Sequence, residues 1–118
     1  MRGEPSTRHD LNILDVEVRD QVTERVIVVA GEVDAANADQ LMKAVWDEEM
    51  VAPVTVVDLS NCHFMDSAGV RALTQGLRRS KAAGSDVRLL VASSGSVRRV
   101  LELCAISDQF PIVWIDPP

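Results

Sequence analysis

Asp66 and Ser67 set a carboxylate beside a hydroxyl, with His63 and Cys62 a few residues upstream. Residues of these types can cap a helix, carry a phosphate or, with histidine as base, form a nucleophile. The pair follows a β-branched run, Val54 to Leu59, a short polar link and Phe64-Met65. It precedes Val70, Leu73 and Leu77, which repeat at helical spacing. A strand is expected to end near Leu59 and a helix to begin at about Ser67. A helix start offers unpaired backbone N–H groups and the positive end of a dipole, so negative charge is favoured there. Ser67 is therefore either the helix N-cap or a residue that carries phosphate.

Other candidates are weaker. A Ser67–His63–Asp66 triad lacks a Gly-x-Ser-x-Gly elbow, and the only other histidine is His9, near the N-terminus; no catalytic residue is assigned. Asp58 invites comparison with a receiver-type phosphoacceptor, but only Glu32 and Asp34 are placed to complete an acidic Mg²⁺ cluster. Gly69 in the first turn of a helix is costly unless close approach is wanted; it reads as a flat spot giving access to Ser67 or, alternatively, as relief for packing on the sheet. Arg98 and Arg99 read as a solvated helix face, and Ser93-Ser94-Gly95 as a helix cap. Cys62 and Cys104 are too few for a metal site of their own. They read as reduced small hydrophobes or, more sharply, as a redox switch beside Ser67. No metal or cofactor is expected.

The elements that position these residues can be taken in order. Residues 1–10 read as a mobile arm and 11–118 as one domain. Leu14, Val16 and Val18 alternate with Asp15, Glu17 and Arg19, predicting a half-buried strand that turns at Asp20-Gln21. The segment Val22–Ala30, continuously apolar at Val26–Ala30, predicts a strand buried on both faces and ended by Gly31. Asp34 is the expected N-cap of a helix with Ala38, Leu41, Met42, Val45 and Trp46 inward. The helix from Ser67 to about Ala83 closes at Gly84, with Arg71, Arg78, Arg79 and Lys81 on its polar side. A strand at Val87–Ala92, a helix carrying Val97, Val100, Leu101 and Cys104, and a strand at Ile112–Ile115 complete the order β-β-α-β-α-β-α-β. Such alternation predicts an α/β fold with right-handed crossovers and mainly parallel pairing after a hairpin. Periodicity leaves open whether the helices cover one face of the sheet or both.

The 118 residues suit a single domain able to bury roughly two-thirds of its unfolded surface. A formal net charge of −6 gives no electrostatic footprint for nucleic acid or anionic lipid, so protein partners are expected. Two Phe, two Trp and no Tyr also leave little for base stacking. The first ten residues hold no apolar core of a signal peptide, and runs such as Val26–Ala30 fall far short of a membrane span. The cytoplasm is the expected location.

Gly31-Glu-Val-Asp34 before the first helix and Phe64-Met-Asp-Ser-Ala-Gly-Val70 before the second resemble the STAS domain, in particular the bacterial anti-sigma factor antagonists. The resemblance covers nearly the whole chain from about residue 11, including the Ser93-Ser94-Gly95 turn before the third helix. It implies a small mixed sheet of four to five strands with about three helices mainly on one face. It also implies an anti-sigma factor that is a serine kinase as partner, phosphorylation at Ser67 that releases it, and a serine phosphatase that reverses the mark. Asp34, Met65, Asp66, Gly69, Val70 and Arg71 are the expected partner-binding residues, and the chain is expected to be a monomer or weak dimer. Ala68 departs from members with a second hydroxyl after the serine and leaves one acceptor. The alternative is a STAS scaffold subunit without kinase input, in a signalling assembly or lipid-transport complex, redox-responsive through Cys62 and Cys104.

Overall fold

The computed structural model describes residues 14–116; the expected arm at residues 1–10 and the terminal Pro117-Pro118 lie outside them. The alternating first segment forms β1 (Leu14–Asp20), antiparallel to β2 (Glu24–Val33). Val16 stands opposite Val29 and Val18 opposite Ile27, so the apolar column of β1 shares the face of the buried residues of β2. Each later strand pairs in parallel with its predecessor: β3 (Val54–Met65), β4 (Asp86–Ala92) and β5 (Ile112–Ile115), in the spatial order β1-β2-β3-β4-β5.

The crossovers are α1 (Ala38–Val45), α2 (Ser67–Ala82) and α3 (Ser96–Leu103). A right-handed crossover fixes which side of the sheet its helix lies on. Since all three step to the next strand in the same direction, all three helices fall on one face. Leu41 and Val45 of α1, Leu73 and Leu77 of α2, and Val97 and Leu101 of α3 close over Ile27, Val29, Val57, Leu59, Leu89 and Val91. Each such side chain, fully buried, stabilises by about 1.5–3 kcal/mol. Gly76 brings α2 close to α1, since a Cβ there would sit 2.9 Å from Val45 Cβ.

One-sided cover corrects the expectation for β2. Ile27 and Val29 are buried under the helices, whereas Val26 and Val28 are only half-buried on the helix-free side. The continuous apolar run therefore does not mark a strand enclosed on both faces. Nor does Gly31 end β2. It has φ +101°, and the strand continues to Val33 through two irregularities at which β3 carries one extra residue each. Ser60–His63, expected to be a link, are consequently strand, and β3 runs up to the residue before Asp66. A short 3-10 turn, Ile106–Asp108, also joins α3 to β5 and buries Ile106.

Candidate functional site

Val33 and Met65 are the last paired residues of β2 and β3, so Asp34 and Asp66 leave the sheet side by side. The Asp66 N–H donates to the Val33 carbonyl at 3.2 Å, tying the two exits together. Asp66 is the N-cap of α2: its backbone is extended and its Oδ1 accepts the Gly69 N–H at 3.0 Å. Both Asp66 and Ser67 are good capping types, and the chain uses Asp66. Of the two readings of Ser67, the helix N-cap is thereby set aside. Ser67 occupies the first helical position, its side chain is exposed, and its hydroxyl makes no hydrogen bond among the described residues.

Asp34 does not cap α1. Its Oδ1 accepts the Ala36 N–H at 2.9 Å in a local turn, and its own N–H donates to Asn37 Oδ1 at 2.9 Å. Asn37 also donates to the Glu32 carbonyl, so this one side chain fixes the shape of the exit from β2. Helix α1 then begins at Ala38, with Asn37 in the N-cap position, three residues later than expected.

The remaining expected site residues divide by burial. Arg71 is exposed one turn beyond Ser67, whereas Met65, Gly69 and Val70 are buried. A Cβ on Gly69 would stand 2.7 Å from Met65 Cγ and 2.8 Å from Val33 Cγ1. The glycine thus lets α2 settle on the sheet and is not an accessible flat spot beside the acceptor. Met65 and Val70 likewise hold the site from below with their side chains turned inward.

Two neighbours escape the sequence reading. Phe64 is 43% exposed beside Glu32 at the end of the sheet. Ser96 donates its hydroxyl to the His63 carbonyl at 2.9 Å, bringing the start of α3 against the end of β3. Reading 60–65 as strand would have found Phe64, because Met65 inward requires Phe64 outward. Gly95, with φ +108° and no side-chain cap, stands at the N-cap of α3, so Ser93 and Ser94 do not cap it.

Cys62 is buried, its thiol donates to the Phe64 carbonyl at 3.4 Å, and burial pushes its pKa up. A thiol held protonated is a poor redox nucleophile. Cys104 is a free, exposed thiol at the end of α3. Asp58 is half-buried within β3 rather than at its end, and its Oδ1 accepts from the Ser60 N–H and hydroxyl. Of the Arg98–Arg99 pair, Arg99 is exposed as expected, whereas Arg98 lies 4.7 Å over the Trp114 ring, pairs with Glu102 at 3.3 Å and donates to the Ser93 carbonyl. Among the described residues, no hydrogen bond joins His63 to Ser67 and no group of three acidic, Cys or His side chains could hold a metal ion. No helix among them is long and apolar enough to cross a membrane.

The family model described as the STAS domain matches residues 14–117. Among solved structures, the chain is similar to an anti-sigma factor antagonist from Mycobacterium paratuberculosis, with a TM-score of 0.74 and 24% identity over 86% of each chain. It is also similar to the anti-sigma factor antagonist SpoIIAA in its unphosphorylated form, with a TM-score of 0.66 and 21% identity over 90% of this chain and 89% of that one. The Bacillus cell fate determinant SpoIIAA in the phosphorylated form superposes with a TM-score of 0.61 and 19% identity, covering 90% and 92%.

Proposed function

The chain belongs to the STAS domain family, and from that premise we propose that it acts as an anti-sigma factor antagonist switched by phosphorylation at Ser67. The observation that carries the proposal is the exposed Ser67 hydroxyl, left uncommitted because Asp66 caps α2 in its place. Similarity to anti-sigma factor antagonists, one of them solved phosphorylated, supports it.

In the unmodified state, Asp34, Asp66, Ser67 and the exposed side of α2 at Arg71 form the surface for an anti-sigma factor that is also a serine kinase. Met65, Gly69 and Val70 set its shape from beneath. The kinase moves the γ-phosphoryl group of ATP to Ser67 Oγ; the hydroxyl proton passes to the kinase's base and ADP leaves. A serine phosphatase reverses the mark by directing water at phosphorus, which releases inorganic phosphate and restores the hydroxyl. A partner that acts on sigma factors works beside the transcription machinery, which locates the exchange in the cytoplasm.

The phosphate adds about −1.5 to −2 charges and three acceptor oxygens. At the first position of α2 the helix dipole favours that charge, so the domain stays folded. Buried against a partner beside Asp66, the same charge costs several kcal/mol, and each 1.4 kcal/mol weakens binding about tenfold. Modification therefore changes affinity with little change in structure. Intact-mass measurement after incubation with the anti-sigma kinase and ATP tests this. One phosphate is expected on the wild type and none on Ser67→Ala, with Ser67→Glu losing kinase binding. An unmodified wild type, or wild-type affinity in Ser67→Glu, overturns it.

A further inference from the structure

Ser67 and Arg71 are four residues apart on the continuous helix α2, and both are exposed. Side chains at this spacing lie one above the other on a helix face, with Cβ atoms about 5–6 Å apart. Three other arginines of the domain are already engaged: Arg19 with Glu17 at 3.0 Å, Arg88 with Asp86 at 3.2 Å and Arg98 with Glu102 at 3.3 Å; Arg79 and Arg99 are exposed too, but neither stands one turn from Ser67. Arg71 has no ion pair and no hydrogen bond among the described residues, and no acidic residue stands three or four positions from it on α2. The unmodified chain thus holds an uncommitted guanidinium one turn beyond an uncommitted hydroxyl.

We propose that Arg71 is the intramolecular partner of phosphorylated Ser67, its guanidinium pairing with the phosphate oxygens along the face of α2. The proposal rests on the phosphoacceptor reading and deepens it. A guanidinium presents a planar fork of donors that matches two phosphate oxygens at once. Modification then alters the surface twice: it adds a dianion at Ser67 and withdraws a cation at Arg71. Any acidic group of the kinase partner that Arg71 meets in the unmodified complex loses its counter-charge at the same step.

The second ionisation of the phosphate reads this pair directly, because a nearby cation favours the dianion. Other titratable groups at this end of the sheet are Asp66 before α2, Glu32 on β2, Asp34 at its exit and His63 on β3. All four are present in every variant compared, so their effects cancel. The experiment is a ³¹P NMR titration of the full chain with phosphoserine genetically encoded at position 67, in the wild-type background and in Arg71→Gln, Arg71→Lys and Arg79→Gln. At low salt the phosphate pKa is expected to be about 0.3 unit lower in wild type than in Arg71→Gln, from the usual strength of such helix pairs. Arg71→Lys, which keeps the charge, keeps a shift, and Arg79→Gln titrates as wild type. Screening by molar salt removes the difference. Coincident titrations of wild type and Arg71→Gln, or an equal change in Arg79→Gln, overturn the pairing. Because no kinase is used, failure of the kinase assay sinks the phosphoacceptor reading alone, and coincident titrations sink Arg71's role alone.

Discussion

Helices α2 and α3 start at the same end of the sheet, and each has a serine at its first position: Ser67 in one, Ser96 in the other. Their hydroxyls have opposite fates. Ser96 donates to the His63 carbonyl, and Gly95 before it offers no side chain to the helix start. Ser67 follows Asp66, whose carboxylate already holds the Gly69 N–H. A hydroxyl at a helix start is left available only when the residue before it does the capping and no neighbouring backbone comes within reach. The two third positions differ in the same sense. Gly69 presses α2 onto Val33 and Met65, whereas Arg98 in α3 reaches outward over Trp114.

The severest way to break that contrast is to give α2 a side chain at its third position. Gly69→Val would drive carbon into Met65 and Val33, which would lie only 2.7–2.8 Å from even a lone Cβ there. Overpacking of this kind costs about 1–3 kcal/mol, and chemical denaturation is expected to show a lower midpoint with the denaturant slope unchanged. A midpoint equal to wild type would mean that the start of α2 is not held against the sheet as described.

Next in size is Asp66→Ala, which leaves α2 with no better cap than α3 has. Loss of an N-cap costs about 1 kcal/mol. Asp66→Asn, which keeps an accepting oxygen, should recover most of that stability. Should Asp66→Ala cost nothing in thermal unfolding, Ser67 would be able to cap in its place, and the distinction between the two serines would narrow.

What could be read in advance follows the same line between local and tertiary causes. The order of strands and helices is written in periodicity: Leu73 and Leu77 at helical spacing, Leu14, Val16 and Val18 in alternation. The upper half of β3 is hidden because its two extra residues reset the alternation. Leu59, Cys62 and Met65 all face inward at a spacing of three, which no regular strand shows. Asp34 and Asn37 are both good caps, and hydrogen bonds to Glu32 and Ala36 decide between them. The single helical layer depends on the direction in which strands are added, a property of the whole sheet. Asp66-Ser67 is legible as a pair, but which residue caps depends on one backbone conformation, φ −95° and ψ −175° at Asp66.

The smallest effect separates the two serines most directly. Ser96→Ala removes a hydrogen bond at an exposed position and is expected to cost about 0.5 kcal/mol, at the low end for such bonds. Ser67→Ala removes a hydroxyl with no partner among the described residues and puts the best helix former at the first position of α2. Its stability is expected to stay within about 0.5 kcal/mol of wild type, on the stabilising side if it moves at all. Paired unfolding curves of the two variants check this, and the order matters more than either value. Were Ser67→Ala the more destabilising, its hydroxyl would be part of the fold's own hydrogen bonding. A phosphate on that oxygen would then disturb the domain itself, and the switch could not act through affinity alone.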